Sequence, residues 1–168
     1  MRLRSLATAA AVIALAAPLA SCGFDYATER TYTPAGGANN REGVVDVLSA
    51  VVVSGAEGSG TFVATLSNND GVEEQSLTGI SGGDGGEGDD GAGDDGATIE
   101  PAEFEAITVP ADGLVNLAEP PADIVLTGDF TAGNFVPLSV DFGNGERISL
   151  NVPVVPDDFG YWEGMDAS

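Results

Sequence analysis

The sequence contains no histidine, no lysine and only one cysteine, and five arginines are its only cationic side chains. Without histidine, the commonest general acid–base catalyst and the commonest metal-binding imidazole are missing. A single cysteine forms neither an internal disulfide nor a thiolate zinc site. The five cations stand against 27 Asp and Glu residues, so the formal net charge is −22. Because such a surface repels phosphate backbones, the composition argues against nucleic-acid binding.

Catalytic constellations are missing as well. No serine can be activated by a histidine, because the chain has none. Adjacent carboxylates are plentiful, but neighbours on a strand face opposite ways, whereas a glycosidase needs two carboxylates that face each other across a cleft. We therefore predict that the protein is not an enzyme and carries no cofactor. The adjacent pairs are Glu73-Glu74, Asp89-Asp90, Asp94-Asp95 and Asp157-Asp158.

The amino terminus has the organisation of an export signal. Arg2 and Arg4 precede an apolar run over residues 6–19, which is 14 residues long. A transmembrane helix needs about 20 apolar residues, whereas the apolar part of a signal peptide takes roughly 7–15. The run therefore predicts a signal peptide over residues 1–21 and not a membrane span.

The tetrapeptide Leu19-Ala20-Ser21-Cys22 resembles the lipobox of bacterial lipoproteins. The resemblance implies that cleavage occurs before Cys22 and that its thiol carries two fatty acyl chains, such as palmitate. Two acyl chains anchor a protein stably, whereas one holds it only marginally. An ordinary signal peptide would instead leave an unpaired thiol in an oxidising compartment. We expect the protein to be lipid-anchored at the extracytoplasmic face of the cell membrane.

Composition divides the rest of the chain into three parts. Residues 22–42 have no apolar period and contain Gly, Asn and Pro, which predicts a flexible membrane tether. Residues 43–155 are predicted to form one folded domain, in which residues 82–96 form a disordered acidic, glycine-rich loop. Residues 156–168 are an acidic and aromatic tail. The sequence leaves open whether this tail packs onto the domain or stays free to meet a partner.

Short segments rich in apolar and β-branched residues recur through the predicted domain, and no window after the signal shows a helical period. We therefore predict an all-β fold, an antiparallel β-sandwich of about seven to nine strands. An Asn-Gly turn at 143–145 predicts a hairpin, beside which Arg147 is expected to pair with Glu146 or another nearby acid. Strands are predicted at 44–53 (one long strand or two abutting ones), 61–66, 76–80, 104–109, 114–117, 123–126, 136–142 and 148–155.

Three stretches resemble the periplasmic copper chaperone family PCuAC, and more closely its actinobacterial lipoprotein relatives. They are residues 62–68, 107–128 and 133–142, within a resemblance that covers about 44–155. The resemblance implies a cupredoxin-like or immunoglobulin-like β-sandwich, in agreement with the strand pattern. It also implies a Cu(I) site of Met and His that ends in a His-x-Met motif.

The residues of this chain do not supply that copper site. Asp123 and Val125 occupy the His and Met positions of the motif, and Met165 is the only methionine left after the signal. Because Cu(I) is soft and prefers thiolate, thioether or imidazole, we predict the fold of the family without its metal. Residues 85–90 match the opening of a calcium-binding β-roll repeat, but one match in a tract of Gly and acids is expected by chance, so no metal site is predicted there.

Three functions are compatible with these features. The first is an accessory module in which the sandwich binds another envelope protein. The second is a degenerate PCuAC-like metallochaperone that still serves copper or respiratory-complex assembly by holding a partner. The third is an acidic envelope spacer whose charge is the useful property. The anchored chain, the predicted sandwich and the lack of catalytic residues favour the first.

Overall fold

The computed structural model describes residues 36–83, 98–158 and 160–168. In these ranges the chain forms nine β-strands and one short 3-10 helix, Gly160–Trp162. Among these residues there is no helix of the length and apolar character that a membrane crossing requires. The predicted all-β fold is confirmed. The strands are β1 (Ala38–Asn40), β2 (Val45–Ala56), β3 (Ser59–Asn68), β4 (Gln75–Gly82), β5 (Ile107–Val109), β6 (Leu114–Asn116), β7 (Val125–Thr127), β8 (Phe135–Phe142) and β9 (Arg147–Pro156).

The nine strands form one continuous sheet that encloses a shared core in two layers. β1, β2 and β3 form one layer, with β6 and β7 beside β3, and β5, β4, β8 and β9 form the other. All strand pairs are antiparallel, as predicted, except β2 with β9, which run parallel with Val52 opposite Val154. The prediction of a purely antiparallel sandwich is therefore wrong for the β2–β9 pair. The last residues of β9 continue past β8 and join β2, which closes the sandwich along one side.

The core is built from alternate residues of both layers. On β3, Phe62, Ala64 and Leu66 are buried together with Leu138 and Val140 of β8, as the period of two predicts. Fully burying a side chain of this size stabilises the fold by about 1.5–3 kcal/mol, so the sheet closes where these residues meet.

A β-bulge at Ser49 keeps the long strand β2 in register with the core. Val45 and Val47 face the core before the bulge, and Ala50 and Val52 face it afterwards. The extra residue is Ser49, whose φ is 53°, and the pairing with β3 shifts between Leu48 and Val51. Without an extra residue, a period of two would carry one half of the strand's core residues to the solvent side. The 44–53 segment is thus one strand with a bulge.

Several predicted boundaries differ from the structure. The end of the predicted tether is part of the sheet, because β1 pairs with β2. The predicted strand 104–109 is reduced to β5, and 123–126 is shifted to β7. Asp123 has a φ of 50°, which is not extended backbone, so β7 begins after it. Gly82, the first residue of the predicted acidic loop, ends β4; residues 84–96 of that loop lie outside the described residues.

The C-terminal segment, residues 160–168, packs on the outer face of β2 and β3. Trp162 and Met165 cover an apolar patch on that face, and Trp162 meets Tyr161 edge-on at a ring-centroid distance of 4.9 Å. The tail therefore packs onto the domain, which is the first of the two alternatives that the sequence leaves open. The patch beneath the segment is formed by Val51, Val53, Val63, Ala118 and Val155.

The carboxylate of Asp166 fastens this segment to the sheet. It accepts hydrogen bonds from the Gly55 N–H at 2.7 Å and from the Thr61 hydroxyl at 3.1 Å, and the Thr61 hydroxyl accepts one from the Ala167 N–H at 2.7 Å. Partial burial acts to raise the pKa of Asp166, but the hydrogen bonds from Gly55, Ser168 and Thr61 outweigh it, and the pKa lies below its ordinary value.

Candidate functional site

The two residues at the copper-motif positions lie at the start of β7. Asp123 is exposed and has a φ of 50°, and Val125 is half-buried opposite Thr61 of β3. Ile124, between them, is buried, and its carbonyl accepts a hydrogen bond from the Phe62 N–H at 2.8 Å. A carboxylate oxygen and a hydrocarbon are not ligands for soft Cu(I). Among the described residues, no three His, Cys, Asp or Glu side chains come together as a metal site.

The predicted lipobox lies outside the described residues. Leu19, Ala20, Ser21 and Cys22 all precede residue 36, where the structural description begins. Lipidation of Cys22 and the signal peptide therefore stay predictions from the sequence.

A groove of about 610 Å³ lies between β1 and the first half of β9. Its polar lining includes Asn39, Glu42, Glu146 and Asn151. The Glu146 carboxylate is engaged, because both of its oxygens accept a hydrogen bond from the Val44 N–H at 3.2 Å. The groove thus presents the carboxylate of Glu42 beside amide groups and the hydroxyl of Ser149, without a pair of free carboxylates.

Arg147, on the rim of the groove, is paired with Asp141 across the β8–β9 hairpin. Its Nε lies 2.6 Å from Asp141 Oδ1, and a terminal nitrogen lies 3.1 Å from Oδ2. This hydrogen-bonded pair raises the pKa of the guanidinium. The sequence predicted an acidic partner for Arg147, and the structure places it at Asp141, while Glu146 binds the Val44 amide. Arg147 is therefore occupied in a structural pair.

Three exposed apolar residues lie on segments that meet at the end of the sandwich where β2 begins. Val72 is 87% exposed, Leu114 62% and Val44 39%. They are three of the five large apolar residues that are exposed among the described ones, and the other two are Phe135 and Tyr161. We call Val44, Val72, Leu114 and the turns that carry them the apolar tip. Exposed apolar side chains that occur together are typical of interaction surfaces, whereas single ones are common everywhere.

Backbone hydrogen bonds hold the three segments of the apolar tip together. The Asn69 N–H donates to the Val44 carbonyl at 2.9 Å, and the Asn68 N–H donates to the Gly113 carbonyl at 2.9 Å. The Asp112 N–H donates to the Asp70 carbonyl, again at 2.9 Å. The start of β2, the β3–β4 connection and the β5–β6 connection are therefore fixed to one another at this end.

Asp70 fixes the turn that displays Val72. One carboxylate oxygen accepts hydrogen bonds from the Val72 N–H at 2.8 Å and from the Glu73 N–H at 3.1 Å. These bonds lower the pKa of Asp70, so the carboxylate is ionised near neutral pH and the turn is formed. Val72 is thus held outward by an ordered turn of the kind that Asp side chains stabilise.

The sequence pattern alone does not reveal the apolar tip. Val72 stands between Gly71 and Glu73 in a polar connection, and an isolated valine among turn residues was the one available signal. The pattern of residues 114–117 predicts that Leu114 is an ordinary strand residue. Its exposure follows from its position opposite Ser67 on the solvent side of β3, which only strand pairing reveals.

Over the residues that the structure describes, the architecture is a two-layered β fold of nine strands, and solved structures resemble it. No protein-family model matches the sequence, and no curated protein matches it either. The copper-bound PCuAC domain from PmoF2 superposes with a TM-score of 0.50 at 13% sequence identity, covering 70% of this chain and 97% of that one.

Two further PCuAC domains superpose on this chain with slightly lower TM-scores. The apo PmoF2 PCuAC domain gives a TM-score of 0.49 at 13% identity and covers 73% of this chain and 97% of that one. The apo PCuAC domain from PmoF1 gives a TM-score of 0.48 at 15% identity, and the match covers 70% of this chain and 98% of that one. The superposition on the copper-bound domain confirms, for the fold, the resemblance to PCuAC that the sequence indicated.

Proposed function

We propose that this protein is a lipoprotein, anchored through Cys22 at the extracytoplasmic face of the cell membrane, whose β-sandwich is a non-catalytic module that binds another envelope protein. The anchor is supported by the lipobox-like residues 19–22. The binding role is supported by one observation above all: the apolar tip, in which Val44, Val72 and Leu114 are exposed on turns fixed by hydrogen bonds. Binding residues often lie on loops that a rigid scaffold positions.

A second candidate is a role in copper or respiratory-complex assembly. It is supported by the fold shared with the copper-bound PCuAC domain from PmoF2. Since fold alone does not carry function and Asp123 and Val125 are not Cu(I) ligands, such a role would consist in holding a partner. Both candidates thus need a protein-binding surface, and they differ in the partner.

The anchor and the binding role can be tested in one experiment on the full chain in its native envelope. We expect an alkynyl palmitate probe to label the wild type and not Cys22→Ala, and we expect the variant to leave the membrane fraction. A photo-crosslinking amino acid at position 72 is expected to yield one discrete adduct.

The matched control carries the same photo-crosslinker at Asn144, an exposed residue of the β8–β9 turn at the same end of the sandwich. Label on Cys22→Ala would contradict the anchor. The absence of an adduct from position 72, or equal adducts from 72 and 144, would contradict a binding site at the apolar tip.

A further inference from the structure

The apolar tip is surrounded by carboxylates. Asp46 lies on β2, Glu73 and Glu74 follow Val72, and Asp112 precedes Leu114 by two residues. Glu73, Glu74 and Asp112 are exposed, and Asp46 is half-exposed. The tip therefore combines apolar side chains with a strongly negative rim.

Few cations offset this rim. Among the described residues the cationic side chains are Arg41 and Arg147. Arg147 is paired with Asp141, which leaves Arg41, three residues before Val44, as the one cation near the tip. The field at the apolar tip is therefore negative, in keeping with the net charge of −22.

We propose that the apolar tip binds a segment of a partner protein that combines apolar with Lys or Arg side chains. The proposal rests on the binding function proposed above and specifies the chemistry of the partner. Apolar contact with Val72 and Leu114 provides affinity as their exposed surface is removed from water. The carboxylate rim attracts the basic residues and speeds encounter.

The same features argue against other occupants. A second copy of this chain carries the same negative charge and is repelled. An anionic membrane surface or a nucleic acid is repelled for the same reason. The turns of the apolar tip are already held in place by hydrogen bonds. A surface that is fixed before binding loses little conformational entropy when the partner binds. With three small apolar contacts the complex is expected to be transient, with a Kd on the order of micromolar.

The test uses the full-length chain in detergent and three short fluorescent peptides as defined probes. The first contains Leu and Lys, the second has Ser in place of Leu, and the third has Glu in place of Lys. By anisotropy at fixed ionic strength, the Leu–Lys peptide is expected to bind at least about tenfold more tightly than the Ser–Lys peptide. The Leu–Glu peptide is expected not to bind.

Two double variants locate the contact. Val72→Ser with Leu114→Ser is expected to weaken Leu–Lys peptide binding about tenfold. The matched control is Phe135→Ser with Tyr161→Ser, which removes the two exposed apolar residues that lie outside the tip, and it is expected to change the affinity less than about twofold. Because all four side chains are exposed, thermal melting should show every variant folded.

The outcomes separate this proposal from the proposed function. Equal binding of the Leu–Lys and Ser–Lys peptides, or equal weakening by both double variants, would overturn the basic–apolar chemistry. A concentration-dependent dimer that Val72→Ser with Leu114→Ser dissolves would assign the tip to a second copy instead. If position 72 crosslinks to a partner while no peptide binds, the binding module stands and the partner chemistry proposed here fails.

Discussion

At the scale of single residues, the chemistry of this chain is decided by the atoms that stand at a few positions. Asp123 and Val125 occupy two positions where the PCuAC resemblance implies His and Met, and they offer an oxygen and a hydrocarbon. The strand that carries Val125 is formed all the same, because backbone pairing with Ser59–Thr61 does not depend on these side chains. The strand pairing at this point therefore does not depend on which side chains stand at positions 123 and 125.

We therefore expect no tight, stoichiometric Cu(I) binding by the wild-type chain. Competition with a chromogenic Cu(I) chelator under reducing conditions measures it. As a matched control, Asp123→His with Val125→Met restores two soft donors and is expected to raise the affinity at least about tenfold. Stoichiometric Cu(I) capture by the wild type would show that donors outside this pair suffice, and it would favour the metallochaperone candidate.

At the scale of elements, the C-terminal segment shows how a short stretch with a single 3-10 turn is held on the sheet. Its apolar side chains, Trp162 and Met165, lie on Val51, Val53 and Val63. The outer face of a sheet in such a sandwich is normally polar, so an apolar patch there needs a cover. The bulge at Ser49 contributes, because it sets which residues of β2 face outward beyond it.

Ionised Asp166 should stabilise the docking of this segment. Its pKa is lowered in the docked state, so this stabilisation is complete above the ordinary carboxyl pKa and is lost as the pH falls through the docked value. We expect Asp166→Ala to weaken docking by about 1 kcal/mol at neutral pH, a figure reduced for the partial exposure of the carboxylate. Since Trp162 is the only tryptophan, a red shift of its emission measures undocking.

The control for this prediction is Glu163→Gln, which neutralises an exposed carboxylate of the same segment. It should leave the emission at neutral pH and its acid-induced red shift as in the wild type, whereas Asp166→Asn should reduce the shift. Asp157, whose carboxylate also lies beside Gly55, is the same in both proteins and does not contribute to the difference between them. Identical pH profiles for Asp166→Asn and the wild type would contradict the role given to Asp166.

At the scale of the whole molecule, the dominant feature is uncompensated negative charge. The chain carries 27 acids against five cations, and Arg147–Asp141 is the ion pair seen among the described residues. Repulsion of this kind destabilises the compact state. The apolar core must therefore outweigh both conformational entropy and self-repulsion.

Salt should consequently stabilise the fold. Raising NaCl from about 0.01 M to 1 M shortens the Debye length from roughly 30 Å to 3 Å, and we expect the melting temperature to rise by about 5 °C, since a gain of 1 kcal/mol corresponds to roughly 4–8 °C in a small domain. Differential scanning calorimetry measures the change, and choline chloride in place of NaCl tests whether any monovalent salt suffices. A melting temperature that falls with salt would mean that attractive ion pairs outweigh the repulsion.

The sequence by itself determined the features that depend on composition and on local pattern. The acidity, the absence of histidine, the all-β class and the Gly143-Asn144-Gly145 hairpin follow from residue types and from a period of two, which act over a few neighbours. The resemblance to PCuAC in residues 107–128 likewise indicated the fold that the superposition confirms.

Only the tertiary structure decided which distant segments meet. The parallel pairing of β2 with β9, the inclusion of β1 in the sheet, the docking of Trp162 and the approach of Val72 to the β5–β6 turn all join residues far apart in sequence. Such contacts depend on how the whole sheet closes over its core, and no local pattern specifies them. For this reason the sequence identified the lipid-anchor candidate at Cys22 but not the surface proposed to bind a partner.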